Sequence, residues 1–218
     1  MKVIAINGSP RTGGNTATLL NHALEGARYA GAATPANCTI THLYNLSFKG
    51  CVSCFGCKLK GAEPAKCFCQ DELSPILAQI MESDVLLVGS PVYFGDITGE
   101  TRSFLERLLF MNLSYNDNNQ SVHNKSIASA FFFTMNAPEA SAVERYAPLF
   151  EHNTATLERL LCGPAQYLSS FDTMQFDDYS KYAAGRFSEE HKKQMKETLF
   201  KADCEKAFEI GKALASGV

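Results

Sequence analysis

The stretch KVIAINGSPRTGGNTATLLNHALEGARYAG, residues 2–31, decides the fold. Its first six residues are mostly apolar, which predicts a buried strand over 2–7. A loop of small and polar residues follows. The amphipathic run over 15–31 then predicts a helix that ends at Gly31. A strand, a short loop and a helix in this order set the pattern for the rest of the chain.

The same alternation of short apolar runs and longer amphipathic runs continues to the end of the sequence. Further strands are predicted over 37–44, 85–90, 126–136 and 165–173, and further helices over 71–84, 99–111, 139–162 and 188–217. Pro75 falls in the first turn of the helix over 71–84, where proline is favoured. Strands that alternate with helices indicate a parallel sheet covered on both faces.

We therefore expect an α/β fold, a doubly wound, flavodoxin-like sheet of five parallel strands in the order 2-1-3-4-5. One domain is predicted over 1–218, with a cysteine-rich insertion at about 50–70. Such sheets bind ligands outside the carboxyl ends of their strands, which directs attention to the loops after the first, third and fourth strands.

Composition excludes several classes of protein. The 218 residues are 45% hydrophobic and 20% charged, as in ordinary globular proteins. The net charge of −3 gives no electrostatic reason to expect nucleic acid or an anionic membrane as a partner. The first apolar run breaks at Asn7-Gly8, too early for a signal peptide, and no run approaches the roughly 18 apolar residues of a membrane helix. We expect a cytoplasmic protein with reduced thiols.

The loop within NGSPRTGGNTATLL, residues 7–20, has the chemistry of an anion site. Backbone N–H groups and the positive end of the helix dipole favour a negative charge there. The dinucleotide pattern G-x-G-x-x-G is absent because Ser9-Pro10 follow Gly8, and the lysine of a Walker loop is missing. A terminal monophosphate fits best, with Arg11 as the nearby cation. The alternative is a capped helix start, with Asn15 or Thr16 as the N-cap.

Two motifs resemble those of a known family. GSPRTGGNT (8–16) resembles the phosphate loop of the NADPH-dependent FMN reductases and flavodoxin-like oxidoreductases. GSPVYFGDITGETRSFLER (89–107) resembles that group's second signature, which follows the third strand and reaches under the flavin ring. The resemblance implies bound FMN. It assigns the phosphate to Ser9, Arg11, Asn15 and Thr16, and the ring to Pro91, Val92, Tyr93, Phe94 and Gly95.

Further expectations concern the ring edge and the chemistry. Thr134, Met135 and Asn136, after the fourth strand, are candidates for the edge of the ring. Tyr93 and Phe94 could instead pack against the following helix, and His123 is interpreted as a surface loop histidine. Because FMN accepts hydride at N5 and passes on one or two electrons, no catalytic side chain is predicted.

The resemblance implies an FMN-dependent oxidoreductase that uses NAD(P)H and a small-molecule or redox-protein acceptor such as a quinone. It also implies a homodimer or homotetramer. Two alternatives remain: an NAD(P)H:FMN or quinone reductase without a metal cluster, and a non-enzymatic electron carrier of the flavodoxin type.

The stretch GCVSCFGCK, residues 50–58, places three cysteines at a spacing of three, and CFCQDE follows at 67–72. C-x2-C-x2-C begins the cluster-binding run of bacterial ferredoxins. In this cysteine motif the chain resembles the iron–sulfur flavoproteins, a branch of the same family. That resemblance implies a [4Fe-4S] cluster that exchanges electrons with FMN, bound by Cys51, Cys54, Cys57 and Cys67. The gap before Cys67 is longer than in that branch, so Cys69 competes as the fourth ligand.

Other interpretations of the cysteines stay open. They could be reduced thiols without metal, a zinc site of unusual spacing, or a Cys54/Cys57 redox pair. The remaining cysteines, Cys38, Cys162 and Cys204, lie in predicted strands or helices, and we expect them to pack as small apolar residues.

Overall fold

The structure, a computed structural model, describes residues 1–31, 37–116 and 120–217. Its strands are β1 (Val3–Asn7), β2 (Cys38–His42), β3 (Val85–Tyr93), β4 (Asp96–Ile97), β5 (Ala128–Thr134) and β6 (Ala165–Ser170). Five of them are parallel and lie in the order β2-β1-β3-β5-β6. The two-residue β4 pairs antiparallel with the end of β3. Without this short strand the order is the predicted 2-1-3-4-5, and the expected fold class is confirmed.

The helices are α1 (Asn15–Tyr29), α2 (Ser74–Met81), α3 (Gly99–Asn112), α4 (Glu139–Leu161), α5 (Glu189–Met195) and α6 (Lys201–Ser216). A π-helical turn over Lys196–Phe200 joins α5 to α6, so the last predicted helix is one continuous helical segment. Helix α2 is shorter than predicted. Asp71 Oδ1 accepts hydrogen bonds from Leu73 N and Ser74 Oγ, which holds the preceding residues in a turn, and Pro75 lies in the first helical turn as expected.

Apolar layers cover both faces of the sheet. Successive side chains of a strand point to opposite faces, so β1 contributes Ile4 and Ile6 to one layer and Val3 and Ala5 to the other. The first layer contains apolar residues of α2, α3 and α4, and the second contains those of α1 and α6. Every residue of β1 is buried, as expected for a strand in the middle of a covered parallel sheet.

The parallel strands bring four loops to one edge of the sheet. These loops follow the carboxyl ends of β1, β3, β5 and β6, and they connect to α1, α3, α4 and the C-terminal segment respectively. The cysteine-rich segment lies between β2 and α2. In the described ranges, every helix is too short or too polar to cross a lipid bilayer.

Candidate functional site

Hydrogen bonds from three neighbouring segments hold the loop after β1. Gly8 N donates to Gly89 O at 2.8 Å, and Thr98 Oγ1 donates to Gly8 O at 2.7 Å. Ser9 N donates to the side chain of the fully buried Asn7, whose Nδ2 lies 2.9 Å from His42 Nδ1. The loop is therefore positioned by β2, β3 and the start of α3 before any ligand binds.

Helix α1 begins at this loop without a side-chain cap. Its N-cap is Gly14, and no side chain accepts the first-turn N–H groups. Asn15 Nδ2 donates to Met174 O at 2.8 Å, and Thr16 Oγ1 lies 2.8 Å from Thr134 Oγ1. The capping interpretation of Asn15 and Thr16 is therefore wrong, because Gly14 is the N-cap and these side chains bond instead to the loop after β6 and to the last residue of β5. The first N–H groups of a helix have no intrahelical acceptor, so this uncapped start suits an anion.

A cleft of about 230 Å³ opens where the four loops meet. It brings together all but two of the residues predicted to bind the cofactor: Ser9, Arg11, Asn15, Thr16, Pro91, Val92, Tyr93, Thr134 and Asn136. Two loops that are about 80 residues apart in the sequence thus form the walls of one site. Met135, expected near the ring edge, also lines the cleft.

The two exceptions are Phe94 and Gly95. They form the turn between the paired residues Tyr93 and Asp96, and both have positive φ, 51° for Phe94 and 90° for Gly95. The side chain of Phe94 is fully exposed, so it neither lines the cleft nor packs against the following helix. The sequence pattern did not predict the short β4 strand, which forms this turn by pairing with the end of β3.

Several residues of the cleft were missed by the sequence analysis. Thr173 and Gln175 follow β6, and Tyr146 belongs to the second turn of α4. The rule that ligands bind at the carboxyl ends of parallel strands also applies to the loop after β6 and could have identified the first two. No pattern in the sequence marks Tyr146, since it reaches the cleft from a helix.

Hydrogen bonds join the residues after β5 and β6 to each other and to Arg11 in the loop after β1. Arg11 Nη1 donates to Gln175 O at 2.6 Å, and Asn136 Nδ2 donates to Gln175 Oε1 at 3.2 Å. Asn136 Oδ1 is buried and has no hydrogen-bond partner among the described residues. A side chain that lines the cleft thus contains a buried acceptor without a partner, which is costly unless an N–H group reaches it.

A buried ion pair between Lys192 and Asp172 supports the loop after β5. The ammonium group of Lys192 pairs with Asp172 and also donates to Asn136 O at 3.2 Å. His191 Nε2 lies 2.6 Å from the second carboxylate oxygen of Asp172. Burial raises the pKa of Asp172, but its bonds to Lys192 and His191 outweigh burial and hold the pKa below its ordinary value. Asp172 is thus an ionised anchor beside the cleft.

The five clustered cysteines line a separate, narrow cavity, the cysteine cavity. Cys51, Cys54, Cys57, Cys67 and Cys69 meet there with apolar side chains and with Arg107. The loop turns sharply because Ser53 and Phe55 have φ of 51° and 56°. All eight cysteines of the chain are free thiols. In the part of the chain that the structure describes, no three His, Cys, Asp or Glu side chains are grouped closely enough to hold a metal ion.

Helix α3 connects this cavity to the cleft. Its N-cap residue Thr98 bonds to Gly8 in the loop after β1. Arg107, about two and a half turns further along, lines the cysteine cavity. Burial raises the pKa values of Cys57 and Cys69, which favours the neutral thiols. The buried guanidinium of Arg107 is placed to offset negative charge on sulfur.

The other cysteines divide into two groups. Cys38 and Cys204 are buried, as expected, and burial raises the pKa of Cys204 to about 11. The expectation that Cys162 packs as an apolar residue is wrong, because it is exposed as the C-cap of α4 with φ of 56°. His123 lies in the loop before β5 and is half-buried, outside both sites.

Comparison with known proteins identifies the family. Residues 1–159 match the family of NADPH-dependent FMN reductases. The chain belongs to this family. The resemblance seen in the two sequence motifs is thereby confirmed, and it extends from β1 through most of α4. In this member of the NADPH-dependent FMN reductase family, the two motifs lie at the ends of β1 and β3, where the cleft opens.

Curated relatives share part of this family resemblance. An iron-sulfur flavoprotein of Methanocaldococcus jannaschii is 36% identical over 107 residues, which cover 49% of this chain and 51% of the relative. An iron-sulfur flavoprotein of Archaeoglobus fulgidus is 35% identical over 107 residues, with 49% and 48% covered. The chain spans about half the length of the curated relatives it matches.

Solved structures show the same fold. An NAD(P)H:quinone oxidoreductase from Methanothermobacter marburgensis superposes with a TM-score of 0.68 at 14% identity, covering 98% of this chain and 96% of the other. An FMN-dependent NADH-azoreductase from Bacillus anthracis, solved in complex with FMN, superposes with a TM-score of 0.62 at 12% identity, with 97% and 100% covered. At these identities the likeness concerns the fold alone.

Proposed function

We propose that this NADPH-dependent FMN reductase family member is an FMN-dependent oxidoreductase that accepts hydride from NAD(P)H and passes electrons to a quinone or another acceptor. The observation that carries the proposal is the meeting of the two family motifs in one cleft. An uncapped helix start with Ser9 and Arg11 forms one end of the cleft, and Pro91, Val92 and Tyr93 form another wall.

The residues present fit FMN. The start of α1 and Arg11 would hold the phosphate, since N–H groups and a guanidinium both donate to phosphate oxygens. Val92 and Tyr93 would give the ring an apolar wall. Asn136 Oδ1, buried without a partner, would accept a ring N–H. FMN supplies the hydride chemistry when it is bound, and the protein orients it and limits access of water.

An FMN titration tests the phosphate assignment. We expect Asn15→Ala and Thr16→Ala to weaken FMN binding by about tenfold or more, because each loses a hydrogen bond that positions the loop. Asn21→Ala, at an exposed position of the same helix, is the matched control. Wild-type affinity for FMN in both loop variants would refute the assignment.

A turnover assay separates the proposed enzyme from an electron carrier. The FMN-loaded protein should oxidise NADPH or NADH steadily when a quinone is supplied. Reversible one-electron reduction of the flavin without turnover would favour the flavodoxin-type carrier instead.

We further propose that the cysteine cavity binds a [4Fe-4S] cluster through Cys51, Cys54, Cys57 and either Cys67 or Cys69. Thiolates are the ligands of such clusters, and five thiols line one cavity here. In the described ranges no three of these thiols are grouped closely enough to hold a metal ion, so the proposal requires the cysteine loop to draw them together around the cluster. The similarity to iron-sulfur flavoproteins supports the proposal. A reducing compartment such as the cytoplasm would keep these thiols available.

Iron and sulfide analysis of anaerobically purified protein tests the cluster. We expect iron in the wild type and in Cys162→Ser, whose thiol is exposed elsewhere, but a loss of iron in Cys54→Ser. A flavin spectrum without iron in the wild type would leave a reductase with idle thiols as the better description.

Self-association is a further part of the proposal. Tyr93 at the cleft and the fully exposed Phe94 beside it present aromatic surface that another copy of the chain could cover. Light scattering should show a dimer or tetramer that Phe94→Ser weakens. A monomer at all concentrations would contradict this.

A further inference from the structure

A second cleft adjoins the proposed flavin cleft. The two share Asn136, Ala137 and Tyr146, so they form one continuous surface beyond the end of β5. The second cleft has a volume of about 290 Å³, and its far wall carries Arg145, Arg186 and Phe187. A ligand that contacts the flavin face could therefore extend into it.

The second cleft is positively charged, although the protein as a whole has a net charge of −3. Arg145 extends from α4 and Arg186 from the loop before α5. None of the described residues that line this cleft carries a carboxylate. Within the described ranges, neither Arg145 nor Arg186 forms an ion pair. Two exposed guanidinium groups without acidic partners favour an anionic ligand, above all a phosphate.

The wall between the clefts offers complementary contacts. The side chain of Tyr146 forms part of the wall that both clefts share. The guanidinium carbon of Arg186 lies 5.9 Å from the centre of the Phe187 ring. The surface thus combines aromatic rings with two cations. A dinucleotide has matching groups: aromatic bases and phosphates.

We propose that the second cleft binds the phosphate groups of the pyridine dinucleotide that reduces the flavin, through Arg145 and Arg186. This inference rests on the proposed function and adds the residues that recognise the electron donor. The nicotinamide would lie in the shared part of the surface beside Asn136 and Tyr146, and the phosphates would lie further out between the two arginines.

Steady-state kinetics of Arg145→Gln, Arg186→Gln and the double variant test the inference. Each single change should raise the KM for NADPH by roughly tenfold, because a charge-assisted hydrogen bond is lost, while kcat stays within about twofold. Arg28→Gln, at an exposed position of α1 outside both clefts, is the matched control. FMN affinity should be unchanged in all variants, which separates this site from the flavin cleft.

Parallel measurements with NADH identify which phosphate is bound. A larger effect on NADPH than on NADH would place its 2′-phosphate between the arginines, and equal effects would place the pyrophosphate there. An unchanged KM for both nucleotides in the double variant would overturn the inference.

Binding of NADP⁺ to the FMN-loaded protein, followed by calorimetry, provides a readout without turnover. The double variant should lose most of this affinity. Equal NADP⁺ affinity in wild type and double variant, or no NADP⁺ binding to the wild type, would overturn the inference even where FMN binds normally. Failure of FMN binding would instead overturn the proposed function.

Discussion

The buried Arg107 of α3 forms an ion pair with the half-buried Asp71, just before α2, in which Arg107 Nη1 donates to Asp71 Oδ2 at 2.6 Å. The same guanidinium donates to Lys49 O, just before the clustered cysteines, and to Cys69 O, at the last of them. One side chain thus ties both ends of the cysteine segment to the helix that begins at the proposed flavin cleft.

We expect Arg107→Met to destabilise the protein by about 3–5 kcal/mol, because it leaves the Asp71 carboxylate without its partner. Arg102→Met is the matched control. Its ion pair with Asp96 is exposed, so the loss should stay within about 1 kcal/mol. Urea unfolding measures both. The double variant Arg107→Met/Asp71→Leu should lose less than Arg107→Met alone, and a larger loss would contradict the ion-pair explanation.

Stability should fall at acid pH through Asp71 and Asp172. Burial raises the pKa of Asp71, but the hydrogen bond and charge of Arg107 hold it below its ordinary value. The folded-state pKa values of both aspartates lie below the unfolded value of about 3.9. The stabilisation that the two aspartates give the folded protein is therefore complete above about pH 3.9. It is lost as the pH falls through their lower folded-state pKa values. Urea unfolding of the apoprotein between pH 6 and pH 2.5 should show this, and Asp172→Asn should weaken the dependence.

Gly8 should not tolerate a side chain. A Cβ there would lie 1.8 Å from Thr101 Oγ1 and 3.1 Å from Gly89 O, so the phosphate loop or α3 must move. We expect Gly8→Ala to cost about 1–3 kcal/mol in unfolding free energy. Gly13→Ala, in the same loop with nothing within 4 Å of its Cβ, should be nearly neutral. If the Thr101 hydroxyl is what the added Cβ meets, the double variant Gly8→Ala/Thr101→Ala should recover part of the unfolding free energy lost in Gly8→Ala. Equal stability of the two single variants would contradict the close approach.

Lys192→Met should weaken FMN binding although Lys192 does not line the cleft. Its ammonium group holds Asp172 and Asn136 O, and without it the loop after β5 loses its support. We expect a loss of FMN affinity of about tenfold or more together with lower stability. Lys193→Met, next in the chain with an exposed ammonium group, should leave FMN affinity unchanged. Fluorescence titration with FMN distinguishes the two variants. Equal FMN affinities of Lys192→Met and Lys193→Met would show that the Lys192–Asp172 ion pair has no role in the site.

The sequence alone determined the elements and their order. The apolar run over 2–7, the loop of small residues and the helix after it are local patterns, and alternation of strands with helices restricts the sheet to very few arrangements. The two family motifs placed most of the cleft residues at the ends of the correct strands. Phe94 and Gly95 were predicted to contact the ring but do not line the cleft. They form the turn before β4, and a two-residue strand leaves almost no periodic signal in the sequence.

Only the tertiary structure decided which distant residues meet. Thr16 and Thr134 are 118 positions apart, yet their hydroxyls bond because β1, β3 and β5 are neighbours with matched register. The same packing brings Tyr146 to the cleft, Lys192 beneath Asn136, and Arg107 to the cysteine cavity. Periodicity and turn chemistry act over a few residues along the chain. These contacts instead depend on which strands pair and on how closely each helix packs against the sheet.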